Sequence, residues 1–187
     1  MQKRHTDRES YFDEQSQTSK NYYIPYIKEV IGHIPDKVLE VGCGEGGNLL
    51  PFAEAGCRVM GVDIDATRIE QARTFFAQRH QQGQFIATDI FQLKDKATNF
   101  PLILLHDVIE HIRDKERFFS GLQEHLSADG AVFVGFPAWQ MPFGGHQQIA
   151  HSHIVSHFPF LHLLPRTLYR WILRPVSYTH LTLPTIA

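Results

Sequence analysis

The chain has 187 residues, 43% of them hydrophobic and 20% charged, which suits one soluble globular domain with a single core and excludes a disordered segment or a membrane bundle. Eighteen basic against twenty acidic side chains leave a formal charge of -2, so nothing draws the whole chain toward nucleic acid or anionic lipid. Residues 1–8 show no apolar stretch behind their positive charges, and Cys43 and Cys57 cannot build a disulfide framework; a reducing cytoplasm is the expected compartment.

Residues 1–34 carry Tyr11, Phe12 and the run from Tyr22 to Ile27, expected to form one or two helices over the sheet edge. Val38, Leu39, Glu40 and Val41 are a short apolar run ending at Gly42, followed by a glycine cluster and a helical stretch over 48–56. The pattern is strand, tight loop, helix, with Asn48 as N-cap, Pro51 at the third helical position and Gly56 as the stop. Residues 58–62 form the second strand, and Asp65 caps a helix with Ile69, Ala72 and Phe76 on one face. Residues 84–88 and 101–106 make the third and fourth strands, the latter apolar throughout as befits a strand covered on both sides. A helix with Phe118, Leu122 and Leu126 at four-residue spacing follows, then a turn over 127–130 and a fifth strand over 131–136.

This alternation predicts an α/β fold: a Rossmann-like, doubly wound, mostly parallel sheet, with ligands bound at the carboxyl ends of its strands. The expected division is an N-terminal helical cap over 1–34, a nucleoside-binding core over 35–136, and a substrate loop and lid helix over 137–175. Residues 176–187 alternate like a strand but also read as a conceptual translation of a transposon-derived sequencing adaptor. They are expected to be non-native, leaving the sheet without its last strands.

The segment from Glu40 to Gly47 carries the chemistry. Its glycines let the backbone turn sharply and approach a ligand, and N–H groups at the following helix start are expected to face the ligand's polar end. Gly42, Gly44 and Gly47 also satisfy the G-x-G-x-x-G spacing of dinucleotide-binding proteins, so the loop alone leaves the cofactor open. Asp63, nineteen residues after Gly44 at the end of the second strand, suits the two hydroxyls of an adenosine ribose. Asp89, directly after the third strand, suits an adenine amino group and tilts the choice.

Taken in order, E-V-G-C-G-E-G at 40–46, G-V-D-I-D at 61–65, A-T-D-I at 87–90 and D-V-I-E-H-I at 107–112 resemble the successive motifs of class I methyltransferases. The last piece resembles the branch that includes ubiquinone and menaquinone methyltransferases. The resemblance covers about residues 35–136 and implies S-adenosyl-L-methionine as cofactor and methyl transfer to the oxygen or carbon of a small-molecule acceptor. It implies that Glu40, Gly42, Cys43, Gly44 and Gly46 form the loop at the methionine end. Asp63 would take the ribose, with Ile64 packed on adenine; Asp89 and Ile90 would contact the base, and His106 and Asp107 would line the sulfonium side. A noncatalytic nucleoside-binding relative is the alternative, and a nicotinamide-dependent dehydrogenase a weaker one.

Glu110 and His111 are candidate catalytic residues, since an imidazole beside a carboxylate can take a proton from a hydroxyl as it is methylated. His146 is a third candidate, in an aromatic and glycine-rich stretch after the fifth strand that suits an apolar or lipid-like acceptor. No metal site is expected: His146, His151 and His153 lack an acidic or cysteine ligand close by and match no compact ligand spacing. Pro159, Pro165 and the neighbouring histidines argue against a membrane span in the apolar stretch 154–173. If the last twelve residues are non-native, removing 176–187 should leave the thermal midpoint nearly unchanged. A large drop on removal would show that the segment is a true strand.

Overall fold

A computed structural model describes residues 7–93, 98–137, 142 and 158–173. The chain divides into two compact units, Lys3–Gly135 and Phe136–Ala187, the latter grouped with Met1–Gln2.

The first unit opens with α1 (Arg8–Thr18), a π-helical segment (Ser19–Tyr23) and α2 (Ile24–Ile31) in unbroken succession. Asp7 caps α1 by accepting the Ser10 N–H, and Gly32 ends α2 at φ 82°, a left-handed conformation that favours glycine. The π segment ends two residues before Pro25, whose ring has no N–H to donate and would crowd the carbonyl one turn back; a wider turn accommodates it.

Five strands follow: β1 (Lys37–Val41), β2 (Arg58–Asp63), β3 (Gln84–Ala87), β4 (Phe100–His106) and β5 (Leu126–Gly135). All neighbours pair in parallel, in the order β3-β2-β1-β4-β5. Between β1 and β2 lies the short α3 (Leu50–Glu54), between β2 and β3 lies α4 (Ala66–Gln78), and α5 (Lys115–Gln123) leads into β5. The chain leaves β1 toward one edge and returns through β4 on its other side, so the carboxyl ends of β1 and β4 flank a topological switch point.

Strand alternation sorts the core into two layers. Val38, Val59, Leu102 and Leu104 pack with Phe12, Ile27, Leu49, Phe52, Ile69, Ala72 and Phe76 on the face covered by α1 to α4. Leu39, Val41, Met60, Val62, Ile103 and Leu105 pack on the opposite face against Phe118 and Leu122 of α5. The doubly wound parallel sheet is therefore the architecture. Asp65 caps α4 through the N–H groups of Thr67 and Arg68, and Ile69, Ala72 and Phe76 are its buried face, as the spacing predicts.

Three local readings are corrected. Asn48 does not cap a helix: a 3-10 turn over Gly47–Leu49 precedes α3, and Pro51 is its second residue, where a missing N–H still costs nothing. Residues 127–130 do not end one element and begin another. They lie within β5, where Phe100 pairs with Leu126 and Leu102 with Ala131, so the extra residues of β5 are absorbed as a bulge. Leu126 accordingly belongs to this strand and not to the face of α5.

In the second unit, a 3-10 turn over Leu161–Leu163 and the helix α6 (Arg166–Leu173) are described. This helix falls within the stretch 137–175 expected to hold a substrate loop and lid. Most of the loop, His146, His151 and His153, and the tail over 176–187 lie outside the described residues.

Phe12 is the one fully buried residue of α1, with ring centroids 5.0 Å from Phe75 and 6.4 Å from Phe76. Phe12→Ala should cost about 3–5 kcal/mol, the range for truncating a buried aromatic. Urea titration of the chain checks this. A loss under about 1 kcal/mol would mean that α1 contributes little to the core.

Candidate functional site

The site forms where β1 and β2 end. Gly42 turns the chain at φ 70°, and a Cβ there would collide with the Val108 side chain; only glycine fits. The loop amides mostly point inward. Gly42 and Cys43 donate to the Val62 carbonyl at 2.7 and 3.1 Å, Gly46 to the Cys43 carbonyl at 2.8 Å, and Gly44 to Asp63 Oδ2 at 2.8 Å. The expectation that N–H groups here face a ligand is thus met by none of these four, which hold the loop to β2 or to itself.

Asp63 is buried and accepts twice, from Gly44 N and, through Oδ1, from Asp65 N at 2.9 Å. Each carboxylate oxygen has two lone pairs, so one on each remains for a hydroxyl donor. Ile64 beside it is 82% exposed, which leaves its side chain open to cover a flat ring. Asp89 is exposed and caps a 3-10 turn by accepting the Phe91 N–H at 3.0 Å. Ile90, by contrast, is packed into the core layer of α5, with its side chain among apolar neighbours.

Glu40 is 1% exposed on the α1 side of the sheet. Asn48 Nδ2 donates to its Oε1 at 2.8 Å, while Oε2 is buried without a hydrogen-bond partner. Burial pushes its carboxyl up to about 8; the Asn48 bond and Arg68 oppose the shift, and Asp63 adds to it. Gln15 Oε1 and Asn48 Oδ1 are likewise buried and unpartnered. Three acceptor oxygens without donors suit an incoming group rich in N–H, such as an ammonium. Cys43 is buried and free, its thiol also pushed up by burial, so it is a packing residue of the loop rather than a nucleophile.

A cavity of about 190 Å³ is lined by Tyr11, Glu14, Gln15, Thr18, Tyr23, Asn48, His106 and Asp107, and Glu40 is joined to its wall through Asn48. His106 ends β4, its ring centroid 5.5 Å from that of Tyr23, and Asp107 turns the chain at φ 54° while donating its N–H to Gly135. Burial, Asp107 and Glu40 raise the Tyr23 hydroxyl to about 12, so it stays protonated at neutral pH. Glu110 and His111 lie on the 3-10 turn Ile109–His111 and do not line this cavity; His111 is exposed, and Glu110 Oε2 is buried without a partner. His146 lies outside the described residues. Among the described residues, no group of three or more histidine, cysteine or acidic side chains is arranged to hold a metal ion.

Sequence reasoning missed the α1 and π-segment residues of the cavity wall, and it missed Asn48 as partner of Glu40. It also missed Arg68, which grips Glu45 through Nε at 3.2 Å and Nη2 at 2.8 Å. The adjacency of Glu45 to the motif glycines was the available signal; its partners are distant in sequence.

A family model described as a methyltransferase domain matches residues 39–132. A ubiquinone biosynthesis O-methyltransferase of Bartonella quintana is 32% identical over 118 residues, covering 60% of this chain and 48% of that protein. The chain spans about half the length of such curated relatives. The PH0226 protein of Pyrococcus horikoshii OT3 superposes with a TM-score of 0.54 at 27% identity, over 60% of this chain and 50% of that one. PKMT2 of Rickettsia typhi in complex with AdoHcy superposes with a TM-score of 0.51 at 27% identity, over 62% of this chain and 23% of that one.

The raised Glu40 carboxyl has a testable sign. Its folded-state pKa of about 8 lies above the ordinary value of 4.5, so the folded chain binds the proton more tightly than the unfolded one. Its contribution is fully present below about pH 4.5 and is lost as pH rises through about 8. Thermal midpoints of the ligand-free chain should therefore carry a decline between those values that Glu40→Gln removes. An identical decline in the variant would assign the effect elsewhere.

Proposed function

The chain belongs to the methyltransferase-domain family, and from that premise we propose that it is an S-adenosyl-L-methionine-dependent methyltransferase acting on a small-molecule acceptor. The observation that carries the reading is the set of unpartnered acceptors, Glu40 Oε2, Gln15 Oε1 and Asn48 Oδ1, beside a cavity at the switch point. A nicotinamide dinucleotide has no aliphatic ammonium to place there, whereas the methionine end of the adenosyl cofactor does. The AdoHcy complex of the Rickettsia typhi relative supports the same choice.

In this reading Glu40, with Asn48 holding its Oε1, takes the cofactor's ammonium. Asp63 takes the ribose hydroxyls with its remaining lone pairs, Ile64 covers the adenine, and Asp89 receives the base's amino group. Gly42, Cys43, Gly44 and Gly46 shape the loop. Ile90 supports Asp89 from the core rather than touching the base. When bound, the cofactor supplies a methyl group already attached to a good leaving group, so the chain's task is placement of the acceptor and removal of its proton. His106, the only imidazole among the described cavity residues, is better placed for that proton than His111. Tyr23, held protonated, donates a hydrogen bond to the acceptor and does not act as base. His146 is proposed to serve the acceptor side.

The Bartonella quintana relative's name favours O-methylation of a hydroxylated acceptor, and the aromatic stretch after β5 favours an apolar one. Among the described residues no helix is long and apolar enough to cross a membrane, and a cytoplasmic location is part of the proposal.

Isothermal titration should show S-adenosylhomocysteine binding and no NADH binding. Asp63→Ala should weaken it about tenfold to a hundredfold, since a charge-assisted bond is lost and the Gly44 amide is released. His106→Ala should lower kcat on hydroxylated acceptors while leaving that affinity nearly intact. Binding of NADH with none of S-adenosylhomocysteine would overturn the assignment.

A further inference from the structure

The crown of the glycine loop carries an ion cluster that cofactor contacts do not explain. Glu45 is fully buried, where an ionised carboxylate is stable only with cationic or hydrogen-bonding partners. Arg68 of α4 takes both of its oxygens in a fork, at 3.2 and 2.8 Å, and Arg8, the first residue of α1, brings Nη1 to 3.1 Å from Oε1. One side chain therefore joins three elements. Arg68 is confined as well, because a Cβ on Gly44 would collide with its guanidinium.

α1 is attached to the core through few buried side chains. Its sequence is polar, and Phe12 is its only buried residue. Beyond Phe12 and Arg8, Arg79, just after α4, reaches Asp13 at 2.6 Å and Glu9 at 3.4 Å, all three side chains being largely or partly exposed. Exposed pairs of that kind contribute little. Yet α1 supplies Tyr11, Glu14, Gln15 and Thr18 to the cavity wall, so whatever holds α1 down also closes the cavity. At its far end Ser19 Oγ donates to the Asn48 carbonyl at 2.8 Å, so the helix is pinned by this bond at one end and by the Arg8–Glu45 pair at the other, with Phe12 between them.

We propose that Glu45 is a latch between the glycine loop and α1: the Arg8–Glu45 pair closes α1 over the cavity, and Arg68 is the positioning residue that holds Glu45 ready to receive Arg8. The inference rests on the cavity being the methionine end of the cofactor site. Loop geometry and closure of α1 are then coupled, since disturbing Glu45 at either arginine frees the helix. Retention of the cofactor depends on the latch, whereas its first encounter with the loop does not.

The test uses the full chain and two readouts. Hydrogen exchange on the ligand-free protein reports the latch without reference to any cofactor. In Arg8→Ala the amides of α1 should exchange about five- to tenfold faster, while those of β1 and β4 keep their protection. Arg8→Lys, which keeps the charge but not the reach of the guanidinium, should fall between. Stopped-flow measurement with S-adenosylhomocysteine should show a dissociation rate raised by about the same factor, with association changed less than twofold. Arg68→Lys should reproduce both effects, and Arg8→Ala keeps the test decisive if that variant folds poorly. Unchanged α1 exchange in Arg8→Ala would overturn the latch. Faster exchange without any S-adenosylhomocysteine binding would keep the latch and sink the cofactor reading. Faster exchange with an unchanged dissociation rate would show that α1 opens without guarding the cofactor, which overturns the coupling.

Discussion

The carboxyl end of the sheet is organised by one side chain. Asp63 receives the amides of Gly44 and Asp65, so the end of β2, the glycine loop after β1 and the start of α4 are fixed relative to one another by a single buried carboxylate. The turn at Gly42, the bonds of Gly42 and Cys43 to the Val62 carbonyl, and the cap that Asp65 makes on α4 all follow from that anchoring. A carboxylate so held has its orientation set before any ligand arrives, which is how rigid sites limit the entropy lost on binding.

Three buried carboxylates, Glu40, Glu45 and Asp63, crowd this corner, and the structure treats each differently. Glu45 is neutralised by two guanidiniums, Asp63 by backbone amides, and Glu40 by burial itself, which favours its proton. The acid with an unused oxygen is the one left beside the cavity. A cationic ligand would ionise it and recover the cost of its desolvation.

The strands and the parallel, doubly wound sheet were legible because the strands are short, apolar and separated by clear stops, and because Asp65, Ile69, Ala72 and Phe76 obey local rules of capping and periodicity. Glu40, Gly42 and Asp63 were legible because their spacing follows from the loop between two parallel strands. What escaped was either a local conflict or a distant contact. Residues 127–130 have turn chemistry, yet pairing with β4 overrode it. Asn48 has cap chemistry, yet a buried Glu40 claimed its amide. The Arg8–Glu45–Arg68 cluster joins positions that no periodic pattern links.

The π-helical segment decides which aromatic faces the cavity. Along α1, Tyr11, Gln15 and Thr18 line the wall at spacings of four and three, and a continuing α-helix would bring Tyr22 next onto that face. One extra residue in the turn rotates the helix, so Tyr23 lines the cavity and Tyr22 is 69% exposed. The wall is thus set by a residue count as much as by residue identity. Were the same segment to remain α-helical, Tyr22 would enter the wall in place of Tyr23, with the composition of the wall unaltered.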